Sequence, residues 1–174
     1  MDFISELKKL NIFKPDMAIL DIGCWNGWLA DKLLRLNRTY DGVDIKDRIK
    51  DKNRNGLRFF QDSFLTFIPD RKYDLIFARN TFFQQQGQIQ QALRYASYLK
   101  EGGVMCVSFL GVDDPWADIE FDGIKYYSVT EKELTDFKDK VNVLWEIDNP
   151  KFRSTLMDGS EKDWHMYKII FKNK

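Results

Sequence analysis

The sequence contains little of what several protein classes require. It has two cysteines and one histidine in 174 residues, and neither a catalytic triad nor a metal-ligand cluster can be recognised, so no metal site is predicted. Cys24 and Cys106 have no charged or histidine neighbours and are expected to be small core residues. No apolar run approaches 18 residues, and the first ten residues lack the apolar core of a signal peptide. The expected protein is soluble and cytoplasmic, without membrane contact.

An excess of charge of one sign is also missing. Lys and Arg number 27 and Asp and Glu number 27, so the formal net charge is zero. Dedicated nucleic-acid-binding domains usually carry a basic excess, and the balance argues against nucleic acid as a partner. Residues 46–58 are locally basic, with six Lys or Arg against two Asp. A solvated face is favoured there over a phosphate-binding footprint.

Apolar residues, in contrast, are plentiful. They make up 44% of the chain and aromatic residues 15%, which is ample for one hydrophobic core. There is no internal repeat, low-complexity tract or linker. Residues 1–174 are therefore expected to form a single domain.

The first two thirds of the chain alternate apolar strands with amphipathic helices. The periodicity predicts helices over 2–12, 27–36 and 88–99. Between them lie five short strands, at residues 17–22 and in the stretches TYDGVDI, LRFFQD, YDLIFAR and VMCVSFL. Gly102 and Gly103 are expected to end the third helix before the last of these strands. Such alternation indicates an α/β fold with a doubly wound, mostly parallel sheet and helices on both faces.

The last third has a different pattern. Thr130 and Glu133 form a capping box that opens a helix to about Phe137. VNVLWEID and WHMYKIIFK then predict an antiparallel pair of strands that closes the sheet. The connection between them, residues 149–164, is expected to be a loop.

The stretch LDIGCWNGWL, residues 20–29, reads as a strand, a glycine turn and a helix start, which is the arrangement that binds nucleotides in open α/β sheets. A dinucleotide motif G-x-G-x-x-G counted from Gly23 needs glycine at positions 25 and 28. Both positions are tryptophan. NAD or FAD binding is therefore not expected.

The alternative pattern Asp-x-Gly-x-Gly-x-Gly fits Asp21, Gly23 and Gly27 and departs only at Trp25. With it, the stretches YDGVDI, FFQDSF, YDLIFARNTFF and LKEGGVMCVSFL follow in order and spacing over nearly the whole chain. The chain here resembles the class I S-adenosylmethionine-dependent methyltransferases, loosely their small-molecule branch. The resemblance implies a seven-stranded sheet of order 3-2-1-4-5-7-6 with an antiparallel last strand, and S-adenosylmethionine as cofactor.

The resemblance also implies roles for the matching positions. Asp21 and Gly23 would line the methionine end of the cofactor, and Asp44 would bind the ribose hydroxyls. Asp62 would lie beside the adenine amino group. The other positions assigned to the cofactor are Cys24, Trp25, Gly27, Ile45, Ser63, Phe64, Arg79 and Asn80, with Arg79 and Asn80 flanking the methionine and the transferring methyl.

These positions have structural alternatives. Asp44 could be a helix N-cap, Asp62 could cap the turn after it, and Arg79 could make a surface ion pair. The single histidine, His165, could orient or deprotonate an acceptor, or pack as a strand residue beside Trp164. For His165 the structural alternative is favoured.

Three segments are expected over the carboxyl edge of the sheet, where an acceptor would lie: 80–86, 111–128 and 149–164. Asp113 and Asp114 could contact a cationic acceptor or cap a loop. Trp116, Tyr126 and Tyr127 could line a pocket or form a small core of their own. Phe82 and Phe83 are expected in the core or in a pocket wall.

The acceptor is only partly constrained by the sequence. Arg79-Asn80-Thr81-Phe82 lacks the prolines that nucleic-acid amino methyltransferases of this class carry after the fourth strand. Methyl transfer to a small molecule by in-line displacement is therefore the favoured function. The alternatives are a methyltransferase for RNA or protein, acting alone or with a partner, and a non-catalytic cofactor-binding module. Trp25 is expected to adopt a negative φ and to narrow the cofactor pocket.

Overall fold

The computed structural model describes residues 3–34, 38–49, 55–121, 123–155 and 159–174. Its helices are α1 (Phe3–Lys9), α2 (Trp28–Leu33), α3 (Gln88–Ala96) and α4 (Glu131–Lys138). Its strands are β1 (Ala18–Ile22), β2 (Thr39–Asp44), β3 (Leu57–Gln61), β4 (Tyr73–Ala78), β5 (Leu99–Leu110), β6 (Glu120–Phe121), β7 (Ile124–Lys125), β8 (Val141–Thr155) and β9 (Glu161–Asn173).

Seven of the strands form one sheet in the order β3-β2-β1-β4-β5-β9-β8. The neighbouring strands β3, β2, β1, β4 and β5 pair in parallel, whereas β9 is antiparallel to both β5 and β8. This confirms the predicted fold class and strand order, with β8 and β9 as its sixth and seventh strands. The short β6–β7 hairpin, which the sequence analysis did not predict, forms a separate two-stranded sheet.

Helices cover both faces of the sheet, as the buried strands require. On one face, α1 and α2 pack against β1, β2 and β4 through Phe3, Leu7, Leu29 and Leu33. On the other face, α3 and α4 pack against β5 and β9. The helix after β3 is replaced by irregular chain over 62–72.

An ion-pair network around one buried carboxylate lies beside this irregular chain. Asp41 on β2 is fully buried and accepts hydrogen bonds from Arg58, Arg71 and the Tyr73 hydroxyl. Arg58 in turn pairs with Asp70. Arg58 is thus engaged in the structural core of the β2–β3–β4 region, while residues 50–54 of the basic segment lie outside the described residues.

Two sequence-based expectations about strands are wrong. Gly102 and Gly103 lie inside β5, which begins at Leu99, and the register slips there between Tyr73 and Leu75 of β4. Residues 149–155 and 161–164 are not a loop but continue β8 and β9 as a long hairpin. The antiparallel pairing satisfies the backbone hydrogen bonds of these residues, and so the strands extend past the end of β5.

The described helices are shorter than the sequence periodicity indicated. α1 ends at Lys9 instead of residue 12, α2 spans six residues, and α3 ends at Ala96. Residues 35 and 36, the end of the second predicted helix, lie outside the described residues. In contrast, α4 is as predicted: the Thr130 hydroxyl accepts from the Glu133 N–H, and the Glu133 carboxylate accepts from the Thr130 N–H.

Candidate active site

Three residues of the turn between β1 and α2 have a backbone in the left-handed region. Gly23, Trp25 and Gly27 have φ values of 71°, 49° and 73°. The expected negative φ of Trp25 is therefore wrong. A tryptophan in this region is strained by about 1–2 kcal/mol, because its Cβ crowds the following carbonyl. Such strain is retained only where surrounding contacts over-determine the backbone.

One of those contacts is a hydrogen bond to the acid at the end of β2. The Trp25 N–H donates to Asp44 Oδ2 over 2.9 Å, and the Lys46 N–H donates to Asp44 Oδ1 over 2.9 Å. Asp44 is not a helix N-cap. Its carboxylate instead links the glycine turn to the chain after β2, which places the turn and the acid at one edge of the sheet.

Position 23 has to be glycine because the Thr81 side chain lies close to its Cα atom. A Cβ at this position would lie 2.2 Å from the Thr81 hydroxyl oxygen. That hydroxyl donates to the Ile22 carbonyl over 2.9 Å. Thr81 follows β4, so this contact ties the ends of β1 and β4 together, and only glycine fits beside it. The sequence analysis did not single out Thr81, and only its position after β4 could have suggested it.

Asp21 and its neighbours form the second part of the site, which we call the turn cluster: Asp21, Trp28, Tyr40 and Arg79. Asp21 is 5% exposed, and its carboxylate accepts a hydrogen bond from the Tyr40 hydroxyl. Burial raises the pKa of Asp21 to about 7, with Asp44 adding to the rise, while the Tyr40 hydrogen bond and Arg79 oppose it. Burial and the nearby Asp21 also raise the pKa of Tyr40.

Arg79, directly after β4, lies over an aromatic ring. Its guanidinium carbon is 4.1 Å from the centre of the Trp28 ring, a cation–π contact. Arg79 and Trp28 close a cleft between α1 and the glycine turn, whose free volume is about 20 Å³, room for about one water molecule. The residues lining it are Phe3, Ile4, Asp21, Gly23, Trp28, Leu29, Phe77 and Arg79.

The predicted adenine side of the site lies after β2 and β3. Asp62 Oδ1 accepts from the Ser63 N–H and from the Thr66 hydroxyl, both over 2.7 Å, and so it caps the turn. Phe64 packs against Phe82 with ring centres 5.4 Å apart. Ile45 is 58% exposed. These side chains flank the same edge as Asp44.

Cys24 and Asn80 complete the predicted set. Cys24 is buried, and burial raises the pKa of its thiol, which fits a core residue. Asn80 has φ 55° and bonds Ser108 in both directions: its N–H donates to the Ser108 hydroxyl, which donates to Asn80 Oδ1. Ser108, on β5, was not found from the sequence.

His165 lies at the same edge but is surrounded by other residues. We call this group the hairpin cluster: Asp113, Asp114, Asp148, Lys162 and His165. His165 Nδ1 accepts from the Asp113 N–H over 3.2 Å, and Nε2 lies 3.0 Å from Asp148 Oδ1. This pattern assigns the proton to Nε2, so both ring nitrogens are engaged by the protein. The arrangement favours the structural alternative for His165.

Asp114 organises the rest of the hairpin cluster. Its carboxylate accepts from Lys162 Nζ over 2.6 Å, from the His165 N–H over 2.9 Å and from the Trp116 N–H over 2.8 Å. The Lys162 ammonium also lies 3.6 Å from the centre of the Trp164 ring. Asp114 therefore caps its loop and binds a cation supplied by this chain.

Aromatic residues after β4 and β5, together with Trp164 of β9, form a small core above the edge. Phe83, Trp116, Tyr126 and Trp164 contact one another with ring centres 5.0–6.0 Å apart. This is the second of the two interpretations offered for Trp116 and Tyr126. Phe82 is buried in the main core.

This geometry can be compared with that of known proteins. A family model described as a methyltransferase domain matches residues 1–148. The chain belongs to this methyltransferase family. The assignment confirms the predicted family and, with it, S-adenosylmethionine as the cofactor of that family. The described residues fit that cofactor, since a carboxylate at the end of β2 and a glycine turn against β4 lie at one edge. Among the described residues, no helix is long and apolar enough to cross a membrane.

Individual relatives differ in sequence identity to this chain and in the share of each chain that the match covers. The malonyl-[acyl-carrier protein] O-methyltransferase 2 of Ilyobacter polytropus is 34% identical over 117 residues, covering 60% of this chain and 45% of the relative. The chain thus spans less than half the length of this curated relative. The crystal structure of TehB from Haemophilus influenzae matches 99% of this chain and 63% of its own, with a TM-score of 0.76 at 16% identity.

A third comparison concerns a structure with a bound cofactor product. The N-methyltransferase NodS from Bradyrhizobium japonicum, in complex with S-adenosyl-L-homocysteine, has a TM-score of 0.67 at 16% identity. It covers 97% of this chain and 84% of its own. At these identities the two solved structures establish the fold and leave the acceptor open.

Proposed function

We propose that this protein transfers a methyl group from S-adenosylmethionine to a small-molecule acceptor by in-line displacement. The cofactor supplies a methyl group on a sulfonium, which has a good leaving group. The protein then has to hold two reactants in line, a contribution of about 7–11 kcal/mol, and needs no nucleophilic side chain. The observation that carries the proposal is the hydrogen bond from the Trp25 N–H to Asp44, which joins the glycine turn to the ribose-binding position.

The proposed cofactor contacts follow the order of the strands. Asp44 accepts from the vicinal ribose hydroxyls, because a carboxylate offers lone pairs beyond the two backbone bonds it accepts here. Ile45, Asp62, Ser63 and Phe64 bind the adenine. Residues that line the methionine end are Asp21, Gly23, Trp25, Gly27, Arg79 and Asn80, whereas the Cys24 side chain packs in the core.

Arg79 has to leave the Trp28 ring for the cofactor to enter. The cleft beside Asp21 admits about one water molecule while the two side chains are stacked. The cation–π contact that has to break is worth about 0.5–1 kcal/mol at a partly exposed site. In the proposed mechanism, the released guanidinium then faces the methionine end and the acceptor.

A carboxylate is the acceptor group that Arg79 fits best, because a guanidinium binds carboxylates through two parallel hydrogen bonds. The names of the curated relatives describe O-methylation of a malonyl group on a carrier protein. A carboxylate oxygen is ionised at neutral pH and needs no general base. Among small molecules, short acyl carboxylates are therefore the first acceptors to test.

The first test is cofactor affinity. Asp44→Ala should weaken S-adenosylmethionine binding at least about tenfold, or about 1.4 kcal/mol, in calorimetry. Asp47→Ala, an exposed acid three residues further along, is the matched control and should bind normally. Equal affinities for the two variants would remove Asp44 from the site.

The second test concerns the acceptor. S-Adenosylhomocysteine formation is measured with malonyl thioesters, free dicarboxylates and amines, for the protein and for Arg79→Met. Turnover confined to carboxylates and lost in Arg79→Met supports the carboxylate proposal, and turnover of amines alone contradicts it. A His165→Ala variant with full turnover would leave His165 only its structural role.

A further inference from the structure

A lysine of the β8–β9 hairpin is buried just beyond the carboxyl end of β5. The side chain of Lys162 is 5% exposed, and its ammonium is 2.6 Å from Asp114 Oδ1. The same ammonium lies 3.6 Å from the centre of the Trp164 ring and 4.7 Å from that of Trp116. Burial lowers the pKa of Lys162, while Asp114 and Asp163 oppose the change. A lysine is almost never fully buried unless it is paired, and here one carboxylate and two aromatic rings surround the cation.

The partners of Lys162 come from two separate segments of the chain. Trp164 belongs to the hairpin, as Lys162 does, whereas Asp114 and Trp116 belong to the loop that follows β5. We call this loop, residues 111–119, the lid loop. Lys162 therefore supplies a cation that joins the lid loop to the hairpin.

The lid loop also has hydrogen bonds of its own. The Asp114 N–H donates to the Gly111 carbonyl over 3.2 Å, and the Ala117 N–H donates to the Asp114 carbonyl over 2.8 Å. At the start of the loop, Gly111 pairs with Val129 in an isolated bridge, and its N–H donates to the His165 carbonyl over 2.8 Å. The bonds inside the loop do not involve Lys162, so the loop keeps its own turns when it moves about Gly111.

The aromatic residues around the lid loop lie apart from the main core. They belong to a small cluster that is separate from the two large clusters on the faces of the sheet and consists of Phe83, Leu110, Trp116, Tyr126, Trp164 and Met166. A satellite cluster under a loop can open without unfolding of the sheet. Phe83 follows Arg79 and Asn80 closely in the chain, so the cluster joins the lid loop to the segment that carries two proposed methionine-end residues.

We propose that the lid loop covers the acceptor side of the carboxyl edge and that the buried Lys162 cation holds it closed. This inference rests on the proposed methyl transfer, which places the acceptor at this edge. An entering acceptor displaces the lid loop, whereas S-adenosylmethionine binds at the ends of β1 to β4 and leaves it in place. When the lid loop opens, water solvates both Lys162 and Asp114, so opening costs less than removal of either partner. Lys162 is thus a positioning residue that acts on the acceptor through the lid loop.

Amide hydrogen exchange of the unmodified full chain, followed by NMR at low urea concentrations, tests whether the lid loop opens by itself. The Trp116 N–H, which donates to Asp114 Oδ1 over 2.8 Å, should exchange through a local opening that does not respond to urea. The Cys106 N–H, on the central strand β5, should exchange through global unfolding and accelerate with urea. If exchange at Trp116 has the urea dependence of exchange at Cys106, the lid loop does not open separately and the proposal is wrong.

A charge-removing variant tests the role of the lysine. Lys162→Met keeps an unbranched side chain without the charge, and local exchange at Trp116 should become at least about tenfold faster. Lys100→Met is the matched control, because Lys100 forms an ion pair of 2.7 Å with Asp74 at the other end of β5. It should leave the exchange rate at Trp116 unchanged. An unchanged rate in Lys162→Met, or an equal rise in Lys100→Met, overturns the proposal.

Chemical rescue separates the cation from a general loss of packing. Lys162→Ala removes three methylenes and the ammonium, which propylammonium chloride replaces as a free ligand between the aromatic rings and Asp114. Slow exchange at Trp116 should return with propylammonium and not with 1-propanol, which has the same number of heavy atoms and no charge. Equal recovery with both compounds, or recovery with neither, contradicts the role of the cation. If this variant does not fold, the urea dependence of exchange in the unmodified protein decides.

Binding and turnover distinguish this inference from the proposed function. In calorimetry, S-adenosylmethionine should bind Lys162→Met and the unmodified protein equally, and about tenfold weaker binding by the variant would place the lysine in the cofactor site and overturn the inference. For the acceptor that is turned over, KM should rise at least about fivefold in Lys162→Met. An unchanged KM shows that the lid loop does not cover the acceptor. An unmodified protein that does not bind S-adenosylmethionine contradicts the proposed function, whereas the exchange results of the lid loop are independent of it.

Discussion

Asp21 and Asp114 are two buried carboxylates at the same edge of one sheet, 5% and 4% exposed. Asp114 accepts three hydrogen bonds, one of them from a lysine of the same chain. Asp21 accepts a side-chain hydrogen bond from a neutral tyrosine, and burial raises its pKa to about 7. Asp114 is paired with a lysine of the chain, whereas Asp21 is bonded to a neutral tyrosine and Arg79 acts on it as a nearby charge that lowers its pKa. The comparison separates a buried carboxylate held in an ion pair from one whose pKa is raised by burial.

The largest effect is expected for Asp114→Ala. Removing this carboxylate leaves the buried Lys162 ammonium without its counter-ion, which should lower the free energy of unfolding by about 3–5 kcal/mol. Urea unfolding measures the loss. Asp113→Ala is the control, because that side chain is 81% exposed and 3.7 Å from the His165 ring, and its effect should be within about 0.5 kcal/mol. If the two variants are equally stable, Asp114 does not hold the hairpin cluster together.

Gly23→Ala should give the next largest effect, in the turn between β1 and α2. The new Cβ would lie 2.2 Å from the Thr81 hydroxyl in a backbone with φ 71°. Strain of about 1–3 kcal/mol is expected together with at least about tenfold weaker cofactor binding, because the turn must move off β4. Gly102→Ala has the same φ and no atom within 4 Å of the new Cβ, so it isolates the backbone contribution. A Gly23→Ala variant no weaker in cofactor binding than Gly102→Ala would show that the contact with Thr81 is dispensable.

Asp21 should also make cofactor binding depend on pH. S-Adenosylmethionine carries positive charges, which an ionised Asp21 attracts and a protonated one does not. With a pKa of about 7, the ionised fraction rises about tenfold from pH 6 to pH 8, and affinity should rise by up to the same factor. Calorimetry at several pH values measures it. Asp21→Asn should bind weakly and show a flat profile, and an equally steep profile in that variant would assign the dependence to another group.

The raised pKa of Asp21 should also make stability depend on pH, in the direction opposite to cofactor binding. The pKa of Asp21 is higher in the folded protein than the ordinary 3.8, so the folded state holds the proton more tightly. The contribution of this group to stability is therefore complete below about pH 4 and falls as the pH rises through 7. Asp21→Asn removes the penalty of the buried charge and should be more stable than the unmodified protein at pH 8.

The strand order and the two helix-covered faces could be predicted because they depend on hydrophobic periodicity and turn residues, which are local. The extent of β8 and β9 could not. Residues 149–155 are mostly polar and include Pro150, and they are strand because they pair with residues 161–166. That pairing joins residues 6 to 17 positions apart in a hairpin, and the strand propensity of the single residues does not record it.

The candidate site likewise contains residues that a local motif identifies and residues that only the folded chain brings together. Asp21, Gly23 and Asp44 were identified because a motif places them at strand ends. Thr81, Trp28 and Tyr40 were not, because their importance lies in contacts with Gly23, Arg79 and Asp21, which only the folded chain brings together. The engagement of both His165 nitrogens likewise depends on the loop and the hairpin meeting.

The smallest effect on stability is expected at Trp25, and it tests whether strain in the turn between β1 and α2 serves binding. Trp25→Gly removes about 1–2 kcal/mol of left-handed strain but adds about 0.5–1 kcal/mol of unfolded-state entropy, so stability should rise slightly. The N–H that donates to Asp44 is kept, because it belongs to the backbone.

Binding should respond in the opposite direction. If the half-exposed indole covers the methionine end of the cofactor, Trp25→Gly should weaken S-adenosylmethionine binding about fivefold, since the apolar surface it buries is lost. Trp25→Asn is the matched control for flexibility, because asparagine tolerates the left-handed region without the freedom of glycine. Equal weakening in both variants assigns the effect to the missing indole. If neither variant weakens binding, the tryptophan contributes nothing to cofactor affinity, and its strained backbone is explained by the contact with Asp44 alone.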